Sequence, residues 1–180
     1  MLILGATGNA GRCAVQVAKH LGASRIIAAG RGAERMRDLG ASGVVELGAD
    51  PETVERELAD AGKDVDVVID FLWGEPTRNA LYAIVPNRTR DEQLLTWIQV
   101  GSVAGLESPI PSAALRAVNL QLIGSGQGSV PLQDYREEIA ALASEVLKGT
   151  FDIATRRVPL TDVEAAWADT AASERIVIVP

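Results

Sequence analysis

The sequence predicts an α/β fold in which six parallel strands form one doubly wound sheet. Short apolar runs such as Leu2–Leu4 and Val67–Ile69 alternate with helix-period segments, the pattern of successive βαβ units. The runs are too continuously apolar for half-exposed antiparallel strands, so they read as strands buried on both faces. Hydrophobic residues make up 47% of the 180-residue chain and charged residues 23%, which supports a packed core and argues against disorder.

In chain order, strands are expected at Leu2–Leu4, Arg25–Ala29, Gly43–Glu46, Val65–Asp70, Leu94–Val100 and Leu120–Ile123. Helices fall between them at Gly11–Leu21, Ala33–Leu39, Pro51–Ala61 and Glu75–Val85. The first carries Ala14, Val17, Ala18 and Leu21 at helical spacing and stops at Gly22, a good left-handed terminator. The third opens Asp50-Pro51-Glu52, which places a cap, a first-turn proline and an acid at the positive helix end. Strand order 3-2-1-4-5-6 would complete the sheet. The polar Pro86–Gln93 stretch reads as a surface loop. After Gly128 come a long amphipathic helix at Leu132–Leu147, a strand at Phe151–Val158, a helix at Thr161–Ala168 and a last strand at Arg175–Val179. Thr161-Asp162-Val163-Glu164 fits a capping box.

Composition excludes several function classes. Lys+Arg number 17 against 24 Asp+Glu, and the net charge of −7 disfavours nucleic acid and anionic membranes as partners. No apolar run reaches the roughly 20 residues that span a bilayer, and Met1 opens without a basic leader region. A soluble, cytoplasmic protein is therefore expected. Its abrupt start on a core strand suggests that a segment upstream has been left out. One cysteine, Cys13, and one histidine, His20, cannot make an ordinary zinc site, so no metal is expected.

The chemistry concentrates in Gly5-Ala6-Thr7-Gly8-Asn9-Ala10-Gly11, three glycines spaced G-x-x-G-x-x-G between a strand and a helix. Gly5 permits the tight turn, Gly8 lets backbone amides approach a diphosphate, and Gly11 lets helix and strand pack closely. The helix N-terminus adds unpaired amides and partial positive charge, and Thr7 and Asn9 can add side-chain hydrogen bonds. No Gly-Lys-Ser/Thr ending follows, which excludes a nucleoside-triphosphate P-loop. About 20 residues on, the second strand ends Ala28-Ala29-Gly30-Arg31. NAD sites place an acid there. A guanidinium instead suits the 2′-phosphate of NADP, Gly30 leaves room, and Arg35 sits one helical turn beyond Arg31. NADP(H) is favoured over NAD(H). The alternative is that both arginines are solvated helix-end residues, an idea that Glu34 keeps open.

Further segments join the glycine turn: Arg37-Asp38-Leu39-Gly40-Ala41 with Val44-Val45, Val67-Val68-Ile69-Asp70, Gln99-Val100-Gly101-Ser102-Val103-Ala104-Gly105, Leu122-Ile123-Gly124-Ser125, Val158-Pro159-Leu160 and the closing Arg175–Pro180. Together they resemble the medium-chain dehydrogenase/reductase superfamily, the group of alcohol dehydrogenases and quinone oxidoreductases. The Ala6-Thr7 pair departs from that group and is similar to the turn of extended short-chain dehydrogenases. The resemblance implies a Rossmann dinucleotide-binding domain over residues 1–149. A short segment, 150–180, would return to an N-terminal GroES-like catalytic domain, which this sequence does not contain. It further implies that Asn9 and Ala10 face the diphosphate, Gly30, Arg31 and Arg35 surround the 2′-phosphate, and Phe71 and Leu72 line a ribose side. Gly101, Ser102, Val103, Gly124 and Ser125 would approach the nicotinamide. Phe71 and Leu72 can equally be core, and Ser102 and Ser125 turn residues. Leu120–Ile123 would be an edge strand, which in the resembled family pairs two chains into a homodimer.

Other constellations carry less. A Tyr-x-x-x-Lys pair is absent, since Tyr82 is followed four later by Pro86 and Tyr135 by Ile139. Gly124-Ser125-Gly126 lacks the G-x-S-x-G spacing of a serine hydrolase. Cys13 reads as a small buried helix residue, and Trp73, Trp97 and Trp167 as core or interface packing. The resulting reading is the NADP(H)-binding domain of a zinc-independent quinone, enone or alcohol oxidoreductase. It would act on a small-molecule substrate only with a catalytic domain present, and no catalytic residue is identified in the chain. The alternative is a catalytically silent nucleotide sensor similar to atypical short-chain dehydrogenases.

Overall fold

The computed structural model describes residues 1–169 and 174–180. Six parallel strands, β1 (Leu2–Leu4), β2 (Ile27–Gly30), β3 (Gly43–Glu46), β4 (Val67–Asp70), β5 (Leu95–Gln99) and β6 (Leu120–Gly124), form one sheet. Their order, β3-β2-β1-β4-β5-β6, is the predicted one. Alternation along each strand divides the core into two layers. Leu2, Leu4, Ile27 and Ala29 pack with Leu58 of α3 (Pro51–Gly62), Leu81 and Ile84 of α4 (Gly74–Ile84) and Ala114 of α5 (Ala114–Ala117). Ile3 and Ala28 pack instead with Val15 and Ala18 of α1 (Asn9–His20) and Met36 of α2 (Ala33–Arg37). Leu2, Ile3 and Leu4 are wholly buried, each contributing on the order of 1.5–3 kcal/mol. Successive crossovers reverse direction between β1 and β4, so a crevice opens above their carboxyl ends, where open sheets of this kind bind ligands.

Through β6 the elements depart from the predicted bounds by no more than a residue or two, for local reasons. β2 begins at Ile27 rather than Arg25, because the Ser42 hydroxyl accepts from the Ile26 amide at 3.2 Å. The predicted cap of α3 is present: Asp50 accepts from the Thr53 amide at 2.9 Å. The predicted surface loop 86–93 is only partly a surface loop. A 3₁₀ turn at Val85–Asn87 opens it, and Arg88 buries its guanidinium, donating to the Val65 carbonyl at 2.5 Å and the Gln93 carbonyl at 3.2 Å. Its Nε is the buried side-chain polar atom left without a partner among the described residues.

Beyond β6 the chain forms α6 (Leu132–Leu147), β7 (Thr155–Pro159), α7 (Val163–Ala168) and β8 (Arg175–Val179). β7 and β8 pair in parallel as a separate two-stranded sheet. α6 has no buried residue, and Leu132, Tyr135, Ile139, Leu142 and Val146 are exposed along it. β7 starts four residues later than predicted because α1 captures the preceding segment. Gln16 donates from Nε2 to the Asp152 carbonyl at 2.8 Å and accepts from the Asp152 amide at 2.7 Å, while His20 meets the edge of Phe151 at 5.6 Å. The expected capping box does not form: a 3₁₀ turn at Leu160–Asp162 takes in Thr161, whose hydroxyl donates to Asp162 instead. Among the described residues no helix is long and apolar enough to cross a membrane.

Candidate cofactor-binding site

The glycine turn is built by main-chain geometry. Gly5 takes φ +89°, a conformation open to glycine, and the Gly5 and Ala6 amides both donate to the Ala29 carbonyl, at 2.8 and 3.0 Å. The turn is thus pinned to β2. A Cβ on Gly11 would lie 2.2 Å from the Gly5 carbonyl oxygen, so only glycine lets α1 rise this close to the turn. Gly8 differs: a Cβ there would meet only the Gly5 oxygen, at 3.6 Å, and its remaining side is open. The first helical bond runs from the Arg12 amide to the Gly8 carbonyl at 2.9 Å, which leaves the Asn9, Ala10 and Gly11 amides without helical partners. No acidic residue occupies that first turn. Open space at Gly8, unsatisfied amides and the helix dipole fit a bound diphosphate.

The crevice above this turn has a volume of about 830 Å³. At one end lie Gly5 and Thr7 to Gly11, at the β2 rim Gly30 and Arg31, and on the opposite wall Phe71, Leu72, Gly101 and Val103. Of the residues singled out from the sequence, the structure therefore brings together all except Arg35, Ser102, Gly124 and Ser125. Arg35 folds over Gly32 and donates to the Arg31 carbonyl at 3.3 Å, so it stands outside the crevice. Ser102 and Gly124 line a second hollow beside β5 and β6. The Ser125 amide extends the sheet, donating to the Gln99 carbonyl at 2.8 Å. At Gly30 the space a Cβ would need is filled by Thr7 and Met36 at 3.1–3.3 Å, so this glycine serves packing inside the protein rather than room for a ligand. Cys13 is half-buried rather than buried and lines a small cleft with Arg12, Asp38 and Asp152.

Leu47, Pro76, Val100 and Ala104 also line the crevice; all are apolar, and no side-chain chemistry marked them as site residues. Glu46 was missed for another reason. It ends β3, across from Gly30, and its carboxylate accepts from the Gly32 amide at 2.8 Å and the Gly48 amide at 2.9 Å. An acid therefore does stand near Arg31, contributed by the neighbouring strand, with both oxygens engaged by backbone amides.

The opposite wall hangs on Asp70, the last residue of β4, which is fully buried. One oxygen accepts from the Leu72 and Trp73 amides at 2.9 and 3.0 Å, the other from the Thr77 hydroxyl at 2.5 Å and the Trp97 indole at 3.0 Å. Four donors satisfy the buried carboxylate and fix the Phe71–Trp73 turn. That turn is stitched to the next loop, since the Ala104 amide donates to the Leu72 carbonyl at 2.8 Å and the Val103 amide to the Phe71 carbonyl at 3.3 Å.

The model of a family described as "Zinc-binding dehydrogenase" matches residues 10–145. The chain belongs to that family. It corresponds to the nucleotide-binding half of the medium-chain dehydrogenase/reductase superfamily, as the sequence motifs indicated. Its relatives include the "Probable NADPH-dependent quinone reductase tdiC" of Emericella nidulans, 31% identical over all of this chain and 54% of that protein. A quinone oxidoreductase of Pseudomonas syringae pv. Tomato DC3000 superimposes with a TM-score of 0.76 at 19% identity, over 99% of this chain and 56% of its own. Mycobacterial Rv1454c, complexed with NADPH, does so with a TM-score of 0.73 at 22% identity, over 99% and 56%. The two structures show a shared fold. This chain spans about half the length of the relatives it matches. Among the described residues no group of three or more His, Cys, Asp or Glu is placed to hold a metal ion.

Proposed function

We propose that this chain is the NADP(H)-binding half of a zinc-independent oxidoreductase that passes hydride between a nicotinamide and a quinone, an enone or another carbonyl compound. The observation that carries the reading is the crevice itself: unpaired amides at one end, a guanidinium at the β2 rim, and an apolar wall opposite. The quinone reductase relative and the NADPH-complexed neighbour favour the same cofactor and reaction class, and make a catalytically silent sensor the weaker reading.

NADPH, when bound, supplies the hydride from C4 of its nicotinamide. The chain's own residues bind and orient. The amides of Asn9, Ala10 and Gly11 would hold the diphosphate, and Arg31 would hold the 2′-phosphate in charge-assisted hydrogen bonds. Phe71, Leu72 and Val103 would exclude water from the ribose and nicotinamide side, and Gly101 lets that loop come close. A Cβ on Gly101 would meet the Phe71 carbonyl oxygen at 2.9 Å.

Titrating NADPH and NADH against wild type and Arg31→Ala tests this. Wild type should prefer NADPH, and the substitution should cost about 1.5–3 kcal/mol of NADPH binding, the range for a hydrogen bond to a charged group, while leaving NADH binding unchanged. Equal affinities that the substitution does not alter would overturn the assignment.

A further inference from the structure

Arg31 stands at the rim of the crevice on a turn with little support of its own. It is exposed and lies between the last residue of β2 and Gly32, whose φ of +88° suits glycine. Gly32 in turn precedes α2, a helix of five residues that no side chain caps. Among the described residues the Arg31 guanidinium neither donates a hydrogen bond nor pairs with a carboxylate.

What defines this turn comes from β3. Glu46 closes that strand opposite Gly30, and the Leu47 amide that follows donates to the Gly30 carbonyl at 2.8 Å. From this anchored position the half-buried Glu46 carboxylate reaches both sides of Arg31. One oxygen accepts from the amide of Gly32, the next residue in the chain, at 2.8 Å, and the other from the Gly48 amide at 2.9 Å. Gly48 runs beside the Arg31 stem: a Cβ there would stand 3.8 Å from the Arg31 Cγ and 2.9 Å from the Glu46 oxygen. A single carboxylate thus bridges the two loops that bound the guanidinium.

The partners of that carboxylate matter. An acid paired with Arg31 would compete with any phosphate for the same cation. Here two backbone amides take both oxygens in charge-assisted bonds, and the guanidinium is left at the crevice rim. Fixing the main chain around Arg31 meets part of the ordering cost before a ligand arrives, which raises affinity by preorganisation.

We infer that Glu46 is the positioning residue for Arg31, and through it for the choice of an adenosine 2′-phosphate over a 2′-hydroxyl. The inference rests on the proposed NADP(H) reading and deepens it. An acid at the end of β2 selects the hydroxyl; this acid, one strand over, serves the opposite choice by holding a cation in place.

The test titrates NADPH and NADH into wild type, Glu46→Ala, Glu46→Gln, Arg31→Ala and the double variant Glu46→Ala/Arg31→Ala. NADPH should weaken about fivefold in Glu46→Ala, the factor that corresponds to ordering one long side chain, with NADH unchanged. Glu46→Gln keeps one acceptor and turns an NH₂ toward the other amide, so its loss should be smaller; being isosteric, it reports on the bridge even if the alanine protein fails to fold. In the Arg31→Ala background, Glu46→Ala should change NADPH binding no further. Unchanged NADPH binding in the Glu46 variants overturns the inference, and tighter binding does so by marking Glu46 as a charge that repels phosphate. A parallel loss of NADPH and NADH, or an undiminished loss in the double variant, overturns it as well. Each of these leaves the cofactor reading standing as long as Arg31→Ala alone loses NADPH. A wild type that does not prefer NADPH, or an Arg31→Ala protein that binds it normally, overturns the cofactor reading and this inference together.

Discussion

Gly11→Ala separates the glycine that packs the protein from the glycine that admits the ligand. The new methyl would start 2.2 Å from the Gly5 oxygen and 2.7 Å from the Ala6 Cα. Both are backbone atoms, so no rotamer change relieves the clash, and α1 must retreat by about 0.8 Å to reach even a tight contact of 3.0 Å. Overpacking of this kind costs about 1–3 kcal/mol, which lowers Tm by roughly 2–12 °C in a chain of this size. The same retreat stretches amide–phosphate hydrogen bonds from about 2.9 Å beyond bonding range. Losing two of them, at about 1.5 kcal/mol or more each, weakens NADPH by roughly 100-fold. Gly8→Ala is the contrast. Gly8 sits at φ −73° and ψ 162°, which alanine adopts freely, and its methyl touches the protein only at 3.6 Å. Its Tm should stay within about 2 °C of wild type, while the methyl stands in the crevice and NADPH affinity drops at least about tenfold. Thermal denaturation and cofactor titration of both variants decide the matter. A Gly11→Ala protein with normal Tm and affinity, or a Gly8→Ala protein that binds NADPH normally, would refute the division of labour.

Three other outcomes are expected. Asp70→Asn leaves an amide NH₂ facing donors on one side of the carboxylate's position, and should lower stability by about 1–3 kcal/mol; an unchanged denaturation curve would show that the four donors do not need the second oxygen. The backbone hydrogen bond from Thr53 holds the Asp50 carboxyl below its ordinary value of 3.8. Its contribution to α3 is therefore present above pH 3.8 and lost as pH falls below it. The Tm difference between wild type and Asp50→Ala should narrow on going from neutral pH to pH 3, and a constant difference would contradict this. We also propose that β6, whose outer edge has no strand beside it among the described residues, pairs with its counterpart in a second copy; light scattering should report twice the chain mass, and a monomer at micromolar concentration rejects the pairing.

The topology was legible because buried parallel strands leave unbroken apolar runs, and Leu2–Leu4 was placed to the residue. The glycine turn was legible because its spacing is local. Features assembled across the sheet were not. Glu46 reaches the Arg31 loop from another strand, and no local pattern connects residues 14 positions apart. Arg88 looked like one charge in a polar loop, yet it crosses to the Val65 carbonyl and ties that loop down. Gln16 is 136 positions from its partner Asp152. Trp73 was visible as a residue, but its positive φ was not, because that angle follows from Asp70 and Ser108 acting on either side of it. In the tail, Thr161 showed the limit of motif reading: the spacing was right, but the chain wound into a tighter turn first.

At its diphosphate end the crevice is enclosed largely by peptide groups and by residues with little or no side chain, among them Gly5, Gly8, Ala10 and Gly11. Its grip on the diphosphate is therefore written in the course of the main chain, while the Arg31 side chain at the rim decides only what stands beyond it. Such a site tolerates broad drift in the rest of the sequence. It is brittle at the few glycines of the turn, where a single methyl group either collides with the backbone, as at Gly11, or stands where the ligand would lie, as at Gly8.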